Sequence, residues 1–206
     1  MERVKEDLPL AVAAPRRMSE EEFEAWCDED VKAEWIDGEV IVHSPAQARH
    51  VLIAGFLLNT MGLFVRHTDL GVVMGPEFQI RLPRRRRVPD VIFIRKDRLQ
   101  LIQRTHLDGP PDLAVEIVSP DSVERDWREK YLEYEANGVG EYWVIDPSNE
   151  QVRVYVLNDQ RQYAAVPEEN GVLKSAALPG FWVRSEWLWQ EPLPNPLDVL
   201  RQLGII

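Results

Sequence analysis

Two stretches of this chain are apolar on both faces of an extended strand. Val88-Pro89-Asp90-Val91-Ile92-Phe93-Ile94 and Leu113-Ala114-Val115-Glu116-Ile117-Val118 run almost without a polar residue. Such runs belong in the middle of a sheet with layers on both sides. Residues 49–66 distribute Val51, Leu52, Ile53, Phe56, Leu57, Leu58, Met61, Leu63 and Phe64 around most of a helical circumference, which predicts a well-buried helix. Residues 72–82 read as one strand, with Phe78, Ile80 and Leu82 alternating against Glu77, Gln79 and Arg81.

The flanking segments carry turn and cap signals. Ser19 and Glu22 have the spacing of a capping box ahead of a first helix. Residues 33–42 predict a hairpin around Asp37-Gly38. Asp121 or Ser122 caps a helix reaching about Asn137, with Gly138 at its end. Residues 141–145 form another strand, stopped by Asp146-Pro147, and residues 151–157 and 162–166 a hairpin about Asn158-Asp159. Pro192, Pro194 and Pro196 make an extended connection, and the short amphipathic segment 197–203 has a face to pack on a partner subunit. This order predicts an α/β (α+β) protein, a central mixed sheet flanked by helices with added hairpins. The expected division is a flexible tail over 1–17, one domain over 18–190, and a Pro-rich connection with a short helix over 191–206.

What interrupts the two apolar strands is chemistry. Period 2 puts Asp90 on the face of Ile92 and Ile94, and Glu116 on the face of Ala114 and Val118. A charge among large aliphatics is costly unless a cation, a hydrogen-bond partner or a proton accompanies it. Pro89 lacks an N–H and suits a strand start, which sets Asp90 where water and a metal reach it. If the two strands are neighbours, their carboxylates repel unless a cation lies between them. Mg²⁺ prefers oxygen ligands and takes one or two carboxylates with water and phosphate oxygens. Lys130 borders the stripe Trp127, Tyr131, Tyr134, so its stem can lie on the sheet with the ammonium at the acids. There it could orient or deprotonate a water, or neutralise developing phosphorane charge. Each residue also has an ordinary structural reading. Asp90 suits a cap, Glu116 an internal ion pair, and Lys130 an i, i+4 surface bridge with Asp126.

Composition narrows the remaining options. Cys27 is the single cysteine and the four histidines show no zinc spacing, which argues against a disulfide or a zinc enzyme. The residues 1–17 lack the layout of a secretory signal, and no run of about 18 apolar residues implies a membrane span. A cytoplasmic protein without a membrane partner is expected. A net charge of −11 argues against non-specific coating of nucleic acid. The run Arg84, Arg85, Arg86, Arg87 reads either as a solvated turn or as a patch for a nucleic-acid backbone, three residues from Asp90. Glu39 is a candidate auxiliary acid; Glu39 and Glu77 otherwise read as surface residues and His50 as a packed or capping one. No Gly-rich phosphate loop and no nucleophile elbow is present.

The ordered set of segments resembles a known family. Val88-Pro89-Asp90-Val91, Pro111-Asp112-Leu113-Ala114-Val115-Glu116-Ile117-Val118-Ser119-Pro120, Glu129-Lys130 through Tyr134, and Gly138-Val139-Gly140-Glu141-Tyr142-Trp143-Val144-Ile145-Asp146-Pro147 are similar to the putative restriction endonuclease family of the PD-(D/E)xK nuclease superfamily. Glu34-Trp35-Ile36-Asp37-Gly38-Glu39-Val40 with Ser44-Pro45 resembles its N-terminal hairpin. The resemblance implies the restriction-endonuclease-like fold and Mg²⁺- or Mn²⁺-dependent phosphodiester hydrolysis. It carries Asp90 and Glu116 over as metal-binding acids, the Ile117 backbone carbonyl as a further ligand, and Lys130 as the catalytic lysine. The superfamily pattern sets its lysine two residues after the acid, where this chain has Val118, so Lys130 acts from the helix. Many members also carry an acid on the long first helix, whereas residues 51–65 have none; Glu39 is the expected substitute.

The expectation is a homodimeric metal-dependent endonuclease acting on DNA, its two sites related by a two-fold. The rivals are a non-catalytic module that binds nucleic acid or protein and uses Asp90, Glu116 and Lys130 as an ion network, and a phosphohydrolase of small esters.

Overall fold

The computed structural model describes residues 16–27, 33–42, 47–120 and 122–206. The short strand β1 (Arg16–Arg17) precedes α1 (Glu20–Trp26), whose start carries the expected reciprocal bonds between Ser19 and Glu22. Strands β2 (Ala33–Ile36) and β3 (Glu39–Val42) form the expected hairpin, with Asp37 and Gly38 at φ 49° and 91°. Positive φ at both turn positions is what an Asp-Gly pair supplies. The long helix is α2 (Ala48–Thr68). The stretch expected as one strand over 72–82 is instead two, β4 (Gly71–Met74) and β5 (Gln79–Leu82), which belong to different sheets. Gly75-Pro76-Glu77 breaks it, with Glu77 at φ 82°.

Strands β6 (Arg85–Arg87), β7 (Val91–Arg95), β8 (His106–Asp108) and β9 (Leu113–Ile117) follow. A π-helical turn, Arg125–Glu129, leads into α3 (Lys130–Asn137), which ends at Gly138 in the left-handed region, φ 83°. The chain closes with β10 (Glu141–Asp146), β11 (Gln151–Leu157), β12 (Tyr163–Ala165), β13 (Val172–Lys174), β14 (Trp182–Arg184) and α4 (Pro196–Gln202). The expected tail over 1–15, the pair Ser44-Pro45 and the cap candidate Asp121 lie outside the described residues.

The first sheet runs β12-β11-β10-β9-β7-β4 and the second β1-β3-β2-β6-β5-β8. Strand β9 is central, parallel to β10 and antiparallel to β7. Every residue of β9 and β10 is buried, as continuous apolar runs require. One face of this mixed sheet, through Val91, Phe93, Val115 and Trp143, packs on Phe56, Leu57 and Phe64 of α2. The other, through Ile92, Ala114 and Val144, packs on Tyr134 of α3 and on Ile80 and Leu82 of the second sheet. Burial of each such side chain contributes about 1.5–3 kcal/mol. Glu141 ties the C-terminal region to the sheet, accepting from the N–H groups of Ala176 (2.8 Å) and Ala177 (2.6 Å).

Two helices depart from expectation. Helix α2 is not buried all round: Val51 and Leu52 remain 55% and 58% exposed. Its length and composition would suit a membrane span, yet its inner face carries the core. Helix α4 buries Val199 and Leu200 with the α2 side of the core, so the face expected to meet a partner subunit is used within the chain.

The arginine run is also corrected. Arg86 and Arg87 are 1% exposed and lie inside the protein, out of reach of a phosphate backbone. Arg86 pairs with Glu20 (3.0 Å) and Glu24, and Arg87 with Glu34 (3.0 Å) and Glu133 (2.6 Å). Arg85 binds Asp37 and Glu133, and exposed Arg84 binds Asp37. The carboxylates of α1, the β2–β3 hairpin and α3 attract the run inward. Breaking a buried ion pair on one side costs about 3–5 kcal/mol. Arg87→Ala should therefore lower the unfolding free energy by about that amount, read from urea denaturation. An arginine serving only a phosphate would leave the urea midpoint unchanged.

Candidate active site

Asp90 sits at the entry to β7, directly after Pro89, where no ladder N–H is lost. Its own N–H bonds to the Val115 carbonyl (3.1 Å), fixing it beside β9. One carboxylate oxygen accepts from the Ile117 N–H at 2.8 Å; the other lies 2.8 Å from His50 Nε2. Glu116, on the adjacent strand, accepts from the Tyr134 hydroxyl (2.6 Å) and meets Lys130 Nζ at 2.8 Å. Lys130 opens α3 and also reaches Asp126 (3.1 Å) and Glu34 (3.6 Å). Asp126 takes a hydrogen bond from Ser122 as well.

The π-helical turn explains how α3 delivers these groups. Asp126, Lys130 and Tyr134 recur at intervals of four and are all buried. Residues four apart share a helix face, and π turns are frequent at functional sites. Behind Tyr134 lie Tyr131, Tyr142, Tyr155 and Tyr163, all five tyrosines of the chain in ring contacts of 4.8–6.4 Å. This aromatic wall keeps water from that side of Glu116.

Four buried carboxylates, Glu34, Asp90, Glu116 and Asp126, thus face two buried cations, Lys130 and Arg87. Burial, together with the charges of Asp126, Asp90 and Glu34, pushes Glu116 up to about 8 against the pull of Lys130. Burial alone would lower Lys130, but Asp126, Glu116 and Glu34 outweigh it and hold the ammonium charged, above the ordinary lysine range. A lysine so held supplies positive charge and does not take a proton from water.

The donor set fits a hard divalent cation. Asp90 and Glu116 offer oxygen from adjacent strands, and the surplus of buried negative charge is what such an ion would offset. Among the described residues no three His, Cys, Asp or Glu side chains form a complete metal cage. An ion held here would fill its sphere with water, phosphate oxygen and backbone, as Mg²⁺ does.

The structure brings Asp90, Glu116 and Lys130 together, and it is the Ile117 N–H that meets Asp90. Glu39 is not among them: it is an exposed residue beside the hairpin turn. The hairpin's acid at the cluster is Glu34, fully buried and bound to Arg87, the Val88 N–H and Lys130. Glu77 is exposed, at the break between β4 and β5 rather than on a strand face. Glu34, Asp126, Tyr134 and His50 escape the sequence reading as site residues. The first two had a signal, an acid flanked by Ala33 and Trp35 and an acid four before Lys130.

Folded Glu116 keeps its proton to about pH 8, whereas the unfolded chain releases it near 4.5. The folded state then binds more protons, so this group makes stability fall as pH rises across that window, and level off above it. Glu116→Gln keeps an acceptor for Tyr134 and has no such proton. In EDTA, its urea stability should gain on wild type, on the order of a few kcal/mol, between about pH 5 and about pH 9. A constant difference across that range would refute the shift.

Residues 20–188 match the family model described as "Putative restriction endonuclease". A crystal structure of a putative nuclease from Anabaena variabilis superposes with a TM-score of 0.70 at 20% identity, covering 82% of this chain and 96% of that one. Among curated proteins none matches. The superposition bears out the restriction-endonuclease-like fold, and the family match spans nearly all of the described fold, the site included: the chain belongs to the putative restriction endonuclease family.

Proposed function

We propose that this protein is a Mg²⁺- or Mn²⁺-dependent endonuclease that hydrolyses phosphodiester bonds of DNA. The observation that carries this reading is the convergence of Asp90 and Glu116, on adjacent strands, with Lys130 Nζ 2.8 Å from Glu116. Membership of the family and the superposed structure, described as that of a putative nuclease, support it. Asp90 and Glu116 would hold the ion, with the Ile117 carbonyl as a further ligand. Bound there, the ion supplies Lewis-acid polarisation of a phosphate oxygen and a more acidic water. Lys130, held charged, stabilises the added negative charge of the pentacoordinate phosphorus. Glu34 and Asp126 fix the ammonium in place. Exposed Arg84 remains the member of the arginine run available to a phosphate backbone. Two sites in a homodimer would cut both strands of a duplex.

The saturation of Lys130 by carboxylates of its own chain favours a second reading, a non-catalytic scaffold in which the cluster is an internal ion network. Cleavage of supercoiled plasmid and single-stranded DNA with Mg²⁺ or Mn²⁺ separates the two. Wild type should cut. Asp90→Ala and Lys130→Met, each shown folded by circular dichroism, should lose about 100-fold or more, and EDTA should abolish the activity. Wild-type protein that neither binds Mn²⁺ nor cuts would establish the ion network instead.

A further inference from the structure

His50 lies in the first turn of α2, with its side chain 15% exposed and Nε2 at 2.8 Å from Asp90. The terminal torsion of an aspartate is broad, so its carboxylate plane is set by what binds it. Here both oxygens are engaged: one by His50, the other by the Ile117 N–H at 2.8 Å. These partners come from a helix and a strand on either side of the β7 entry.

A carboxylate accepts hydrogen bonds, so the imidazole nitrogen facing it carries the hydrogen. In the neutral ring this leaves Nδ1 as an acceptor. Nδ1 is buried and has no hydrogen-bond partner among the described residues. Buried polar atoms are nearly always paired, and an unpaired one calls for a ligand or water. A histidine kept only for packing would have both nitrogens satisfied or solvated. This one has one nitrogen on the proposed metal-binding acid and the other unpaired among the described residues.

We propose that His50 is the positioning residue of this site. Its Nε2–H fixes Asp90 in the orientation that holds the cation. The cation rests on the nuclease reading above; the tautomer and the hold on Asp90 do not. Donors on metal-ligating groups commonly change metal affinity about 10–100-fold when removed.

Three variants divide the two nitrogens. His50→Gln can place an N–H near the Nε2 position and leaves nothing at Nδ1. His50→Asn can occupy the Nδ1 position and falls short of Asp90. His50→Ala removes both. Long-range ¹H–¹⁵N spectra of wild type should show the Nε2–H tautomer, perturbed by Asp90→Asn. Mn²⁺ titration calorimetry should show affinity weakened about 10–100-fold in the Ala and Asn variants and restored to within about threefold in the Gln variant. The Nδ1–H tautomer, or an Ala variant that binds Mn²⁺ as wild type does, would overturn the hold on Asp90. A Gln variant that binds Mn²⁺ as weakly as the Ala variant would also overturn it. If wild type cleaves no nucleic acid while the tautomer and the Mn²⁺ pattern hold, the nuclease reading falls and the positioning of Asp90 stands. If wild type binds no Mn²⁺, both fall.

Discussion

A single buried ammonium meets carboxylates from three separate elements. Lys130 Nζ is shared by Glu34 of β2, Glu116 of β9 and Asp126 of the π-helical turn. None of these groups could be buried alone, since an isolated charge in an apolar interior is too costly to keep. Together they are mutually compensated, and the compensation demands that hairpin, sheet and helix arrive at one point. Arg87 extends the same constraint, since it binds Glu34 on the hairpin and Glu133 on α3. The clasp between the two sheets is therefore partly ionic, and the candidate site lies within it.

That arrangement also sorts the roles of the charged groups. Lys130 is over-supplied with negative neighbours and stays charged, while Glu116, screened from water by the tyrosine wall, resists ionisation. A cation entering beside Asp90 and Glu116 would meet ligands fixed in advance: Asp90 by His50 and Ile117, Glu116 by Tyr134 and Lys130. Ligands fixed beforehand lose little freedom on binding, which is the physical meaning of preorganisation.

The central sheet and its two acids were legible because burial on both faces leaves an unmistakable apolar run, and a carboxylate inside one stands out. The capping box, the Asp37-Gly38 hairpin and the end of α3 were legible because caps and turns are local chemistry. What stayed hidden depends on tertiary neighbours. The arginine run looks like surface in sequence, and only the positions of Glu24, Glu34 and Glu133 draw it inside. Asp126 with Lys130 looks like an ordinary exposed helix pair until the π turn directs both at the sheet. The acid of the hairpin was placed at Glu39 rather than Glu34, because a turn is easier to locate than the side of a strand that another sheet will cover. His50 gave no sequence signal beyond its type, and its partner is forty residues away.

Glu34, Asp90, Glu116 and Asp126 all precede Lys130 in the chain. A polypeptide emerging from its N-terminus therefore presents Glu34, Glu116 and Asp126 before the ammonium they share, with Arg87 already there to pair with Glu34. A product ending before residue 130 therefore carries Glu116 and Asp126 without the ammonium that pairs with both.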